Sequence, residues 1–118
     1  MTSLPKTSQT YLKFLNLVQA VRALPSFPAM DAVEERLLNM LAATWQTGQQ
    51  VTVLEAMVMS PDFSPATTHR RLKTLREKGL IDLDADSVDS RIKYVVPTPL
   101  ANSYFAKLSE CLEKASGN

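Results

Sequence analysis

Five cations stand within nine residues of one another: Arg70, Arg71, Lys73, Arg76 and Lys78. Glu77 is the only acid among them, so with His69 neutral the stretch 69–78 carries +4 (five positive, one negative). Arg91 and Lys93 follow after an acidic segment. Guanidinium and ammonium groups at this density suit phosphate oxygens, and arginine can also fork onto the edge of a guanine. Ala66 and Thr67 lie just ahead and are short enough to let a backbone approach base edges. Ser64, Thr67, His69, Arg70 and Lys73 are therefore the candidates for contacts in a groove of duplex DNA. Arg71, Arg76, Arg91 and Lys93 are the candidates for backbone or minor-groove contacts.

A helix must carry the first of these groups. Ser64 is a good N-cap, and Pro65 suits the first helical position, where its missing N–H would have had no partner. Gly79 is placed to end the helix in a left-handed conformation. Thr68, Leu72, Leu75 and Gly79 recur at spacings of four, three and four, which puts them on one stripe facing a core. Ala66, Arg70, Lys73 and Glu77 then lie opposite. A solvated amphipathic helix is the plainer reading of the same pattern, since charges on an outer face are ordinary.

The second group needs a hairpin. Leu80, Ile81 and Leu83, then Ile92, Tyr94 and Val96, give alternating apolar positions on either side of a polar turn from Asp84 to Ser90. Arg91, Lys93 and Val95 fall on the opposite face from Ile92, Tyr94 and Val96. Both faces carry apolar residues, so the pattern leaves open which one is buried. Four acids, Asp82, Asp84, Asp86 and Asp89, precede the two cations and would repel phosphate if they faced it.

The residues Ser64, Thr67, Arg70, Leu72, Leu75, Lys78-Gly79-Leu80-Ile81, Asp89-Ser90-Arg91 and Thr98-Pro99 together resemble the winged helix-turn-helix regulators of the MarR type. The likeness holds by motif over 64–99 and in element order over 30–115. It implies that the helix 64–78 enters a major groove and that Arg91, on a wing at 82–96, enters the adjacent minor groove, steadied by Asp89. It also implies terminal helices that join two copies, and leaves room for a small-molecule effector.

The rest of the chain fits that frame. A helix is expected over 8–24, after a loose tail at 1–7, with Phe14, Leu17, Val18, Val21 and Leu24 on its apolar face and Leu24-Pro25 at its end. That face serves either dimerisation or packing on its own domain. Asp31 and Glu34 form a capping box for a second helix, whose buried face holds Val33, Leu37, Leu38, Met40, Leu41 and Trp45 and which Gly48 ends. Residues 49–52 supply a short strand. Thr52 and Glu55 cap a support helix over 53–59, and Ser60-Pro61-Asp62-Phe63 makes the turn. Thr98-Pro99 opens a last helix to 116, with Tyr104, Phe105, Leu108, Cys111 and Leu112 on its apolar face.

Composition narrows the classes. At 118 residues, 45% hydrophobic and 21% charged, the chain reads as one globular domain (1–118, with a winged-helix core at 31–97). Its net charge of +1 argues against a non-specific nucleic-acid coat but permits a local basic face. One cysteine excludes an intrachain disulfide and a Cys-rich zinc site, and one histidine excludes a His cluster. Cys111 is either a small buried hydrophobe or a redox sensor. The three glycines form no phosphate loop, Glu34-Glu35 needs no role beyond favouring a helix start, and no triad is arranged around His69. No membrane span or signal core is present, which fits a cytoplasmic protein. The expected fold is mainly α, a winged helix-turn-helix with flanking N- and C-terminal dimerisation helices. The expected protein is no enzyme, has no cofactor or metal, and binds double-stranded DNA as a homodimer to regulate transcription. The alternative is a winged helix that binds another protein through the acidic wing.

Overall fold

The computed structural model describes residues 6–117 and contains five helices and one hairpin: α1 (Lys6–Arg22), α2 (Ala32–Gln46), α3 (Val53–Met57), α4 (Pro65–Glu77), β1 (Ile81–Ala85), β2 (Lys93–Pro97) and α5 (Pro99–Gly117). They divide between two compact units, one of residues up to 29 together with 102–117, the other of 30–101.

In the first unit α1 begins two residues earlier than the apolar pattern suggests and ends two earlier. The expected tail at 1–5 lies outside the described residues, while Lys6 and Thr7 already belong to the helix. At the other end, the Leu24 N–H reaches only three residues back, to the Val21 carbonyl at 3.1 Å, so the chain has tightened out of the α-helix before Pro25. Val18, Phe27, Tyr104, Cys111 and Ala115 are buried in this unit. The Phe27 ring meets Tyr104 edge-on at 5.3 Å, and the Tyr104 hydroxyl accepts from Arg22 Nε at 3.3 Å. Cys111 is buried as a small hydrophobe.

The second unit carries the basic helix. Leu37, Leu38 and Leu41 of α2, Leu75 of α4, then Leu80, Ile81 and Val95, form its dry centre. Both capping boxes form. Asp31 Oδ1 accepts from the Glu34 N–H at 2.8 Å and Glu34 Oε1 accepts from the Asp31 N–H at 2.9 Å, and Thr52 and Glu55 do the same for α3. Gly48 follows α2 at φ 83°. The support helix stops at Met57, two residues short of the expected Met59. The expected strand at 49–52 is reduced to a single bridge between Thr52 and Tyr94, beside a 2.7 Å bond from the Val95 N–H to the Val51 carbonyl.

The hairpin is antiparallel, with Leu83 opposite Val95 and Asp84 opposite Tyr94. Val95 is buried and Ile92 exposed, which settles the open question of faces: the side of Ile81, Leu83 and Val95 packs inward. Trp45 Nε1 donates to the Val95 carbonyl at 2.9 Å and so ties α2 to this strand. Among the described residues, no helix is long and apolar enough to cross a membrane.

Candidate nucleic-acid interface

The basic helix α4 is defined at both ends by its own residues. Ser64 Oγ accepts from the Thr67 N–H at 3.1 Å, and Pro65 occupies the first turn. At the far end the Leu80 N–H bonds to the Leu75 carbonyl (3.0 Å) and the Gly79 N–H to the Arg76 carbonyl (2.9 Å), the paired pattern of a left-handed glycine stop at φ 79°. Thr98 Oγ1 donates to the Gly79 carbonyl at 2.6 Å while accepting from the Ala101 N–H. One hydroxyl thus closes α4 and opens α5.

Thr68, Leu72 and Leu75 are buried on the inner stripe. Ala66, His69, Arg70 and Lys73 are exposed on the outer side. Along that side a polar chain runs from Ser64 through Thr67, whose Oγ1 accepts from Ser64 Oγ at 2.9 Å and from Arg70 Nη2 at 3.4 Å. Short side chains at the start of the helix and cations one and two turns further on make a face that can approach a base edge and hold phosphates.

The other cations of the run point elsewhere. Arg71 Nη2 lies 3.1 Å from Asp31 Oδ2, Arg76 Nε lies 3.6 Å from Asp82 Oδ1, and Lys78 Nζ lies 2.7 Å from Glu34 Oε1. Three of the five cations in the sequence run therefore face acids of their own unit. Helical spacing sets Arg71 and Lys78 on a flank apart from Arg70 and Lys73, whereas Arg76, three residues after Lys73, shares that residue's side and is drawn off by Asp82.

Glu34 had no place among the candidate residues, yet it is buried, with 2% of its surface exposed. Burial pushes its carboxyl up, but the Asp31 N–H, Lys78 and Thr74 together outweigh this and hold it below its ordinary value. Its partners lie 40 and 44 residues away, a separation that no local pattern reveals. A second contact from α2 lies just before α4, where Arg36 pairs with Asp62 and lies 5.2 Å from the centre of the Phe63 ring.

On the wing, two of the four acids build the turn. Asp86 Oδ2 accepts from the N–H groups of Val88 (3.0 Å) and Asp89 (2.9 Å), and Asp86 Oδ1 accepts from the Tyr94 hydroxyl (2.9 Å). The Asp89 and Val88 N–H groups, followed by Tyr94, hold the Asp86 carboxyl below its usual range, and the same bond raises Tyr94. Asp89 takes a two-pronged grip from Arg91, Nε to Oδ1 at 3.0 Å and Nη2 to Oδ2 at 2.9 Å, while its Oδ1 also accepts the Arg91 N–H. That grip lowers Asp89 and raises Arg91. The Arg91 side chain stays 89% exposed at the tip. Asp82 and Asp84 face solvent, and Lys93 is exposed at the outer end of β2.

No protein-family model matches the chain, and no curated protein matches it in sequence. Solved structures do match in fold. The transcriptional regulator Tm0710 from Thermotoga maritima is 16% identical at a TM-score of 0.63, over 92% of this chain and 68% of that one. The heme sensor protein PefR from Streptococcus agalactiae, solved in complex with heme, is 17% identical at 0.58, over 92% and 67%. BpsR from Bordetella bronchiseptica, whose DNA binding is regulated by 6-hydroxynicotinic acid, is 16% identical at 0.55, over 94% and 74%. At these identities the likeness is one of fold.

Proposed function

We propose that this chain, which carries the winged helix-turn-helix fold of the MarR type, is a sequence-specific DNA-binding transcriptional regulator that acts as a homodimer. The observation that carries this reading is the outer face of α4. Arg70 and Lys73 project from a capped helix whose reverse side is buried, with short residues at its entry. In this reading Ser64, Thr67, His69, Arg70 and Lys73 meet the major groove, and Arg91 and Lys93 of the wing at 82–96 meet the backbone or minor groove. Arg71 and Arg76 reach phosphate only by leaving Asp31 and Asp82.

Dimerisation is supported by apolar side chains left in solvent on the terminal-helix unit: Tyr11, Leu15, Leu24 and Leu112. Two copies would present two recognition helices to half-sites about 34–36 Å apart. Sedimentation that finds only monomer at micromolar concentration contradicts this part. We further read the chain as a cytoplasmic binding protein rather than an enzyme. A small-molecule effector is suggested by the ligands named with PefR and BpsR. The alternative, a wing that docks a protein through its acids, has less support, because Asp86 and Asp89 are engaged within the turn.

The test is selection from a mixed pool of short duplexes at several salt concentrations. A recovered palindrome, with log affinity falling steeply against log salt, supports a dimeric reader. No enrichment, with weak binding lost at moderate salt, overturns it.

A further inference from the structure

We propose that Glu34 is a positioning residue for the recognition helix: a buried carboxylate away from the DNA face that sets how α4 presents Arg70 and Lys73. This rests on the DNA-reading function proposed above. Glu34 Oε1 accepts from the Asp31 N–H at 2.9 Å and from Lys78 Nζ at 2.7 Å. Its other oxygen, Oε2, accepts from the Thr74 hydroxyl at 3.0 Å, which has the Arg71 carbonyl as its alternative acceptor. One side chain thereby joins the first turn of α2 to the last turn of α4 and its C-cap. Arg71, paired with Asp31, lies on the same flank, since positions 71, 74 and 78 stack at helical spacing.

Three stripes of α4 therefore have three jobs. Thr68, Leu72 and Leu75 fill the core; Ala66, Arg70 and Lys73 face out; Arg71, Thr74 and Lys78 hold to α2. The hydrophobic driving force is non-directional, so the core stripe opposes small rotations and slides of the helix less sharply than directional bonds do. Hydrogen bonds to a buried charge are directional and costly to leave unmade. Such a group adds little net stability compared with an apolar replacement, and its value lies in fixing one arrangement. Reading a base edge needs that arrangement, because a forked arginine contact is satisfied only in a narrow geometry, whereas phosphate pairing tolerates displacement.

The experiment uses the full chain and the duplex recovered by selection, with a scrambled duplex of the same length as reference. The readouts are the ratio of the two affinities, the slope of log affinity against log salt, and thermal unfolding. In Glu34→Gln the carboxamide keeps the shape but offers one acceptor oxygen where two serve the native partners. The affinity ratio is expected to fall about tenfold, with the salt slope unchanged because no phosphate contact is lost. Thr74→Val, which replaces the hydroxyl with a methyl of similar shape, is expected to lower the ratio about threefold and serves if Glu34→Gln does not fold. If both variants unfold earlier but keep the wild-type ratio, Glu34 is structural only and the proposal is overturned. If the wild type itself discriminates between no duplexes, the DNA-reading function fails first and this proposal falls with it.

Discussion

The wing and helix α4 each pair a cation with an acid, but the two pairs act in opposite directions. At the wing, Asp89 and Arg91 sit two residues apart on an exposed turn, and the acid props the cation outward. On α4, Glu34 is buried and comes from another helix, and it draws Lys78 back towards α2. The same chemistry thus presents a charge in one place and withdraws it in the other. What differs is the desolvation of the acid. A partly exposed carboxylate such as Asp89 can exchange its partner for water at less cost than a buried one such as Glu34. A count of basic residues along α4 therefore overstates the charge on its outer face.

Breaking the inner pair should have the largest effect on folding. Lys78→Met leaves the Glu34 carboxylate buried without its cation, and a hydrogen bond to a charged group of this kind is worth about 2 kcal/mol. The loss is expected as a lower denaturant midpoint with an unchanged slope. A fall of a few tenths would mean that water replaces the lysine and that the contrast with the wing is weaker than drawn.

Acid titration sharpens the comparison next. The Glu34 carboxyl is held below its ordinary value of 4.5 in the folded state. A lowered folded-state pKa adds stability that is complete above the unfolded value and disappears as pH falls through the folded one. Stability should therefore decline on acidification below about pH 4.5, as the unfolded chain takes up protons first. Glu34→Gln should flatten that decline. Asp86 and Asp89 are also lowered and add to the decline in the same direction, so a slope remains in the variant.

Breaking the outer pair should leave the fold alone. Arg91→Ala is expected to keep the wild-type unfolding midpoint and to reduce the slope of log affinity against log salt by about one, as for the loss of a single phosphate contact. Asp89→Asn should also spare the fold. It is expected to weaken binding less than Arg91→Ala, because the cation remains but loses its forked partner. A lowered midpoint in either variant would show that the wing tip shares the structural role assigned to Glu34.

The smallest effect is expected at Thr68, a buried polar residue on the inner stripe of α4. Its Oγ1 is buried and has no hydrogen-bond partner among the described residues, unlike Glu34 with its three. Thr68→Val removes an unsatisfied hydroxyl while keeping the branched shape, so stability should be unchanged or slightly higher by denaturant unfolding. A clear loss would mean that the hydroxyl is satisfied in solution.

What the sequence revealed and what it hid divide along the range of the interactions. Ser64-Pro65, Asp31 with Glu34, Thr52 with Glu55, and Gly79 are local signals, and they placed α2, α3 and α4 nearly to the residue. The Thr68–Leu72–Leu75 stripe was legible because it needs only helical spacing. The hairpin was legible as a hairpin, but not its inner face. Tyr94 and Val96 are half-buried opposite the buried Val95, so both faces of β2 carry apolar residues and alternation alone does not choose between them. The direction of each cation was the least legible. Arg71, Arg76 and Lys78 look like Arg70 and Lys73 in composition, and the acids that turn them aside, Asp31, Asp82 and Glu34, come from outside α4. Glu34 looked like a helix-start acid, which it is, and its second role depends on residues 40 and 44 positions away.

The most direct measurement is duplex selection repeated with Arg70→Ala beside the wild type at one salt concentration. If the outer face of α4 reads sequence, the wild type returns a palindrome. The variant then returns the same palindrome with preference relaxed at one position per half-site, at a cost of about 1–3 kcal/mol for a guanine contact. An identical preference at every position in both proteins, or no motif from the wild type, would contradict it.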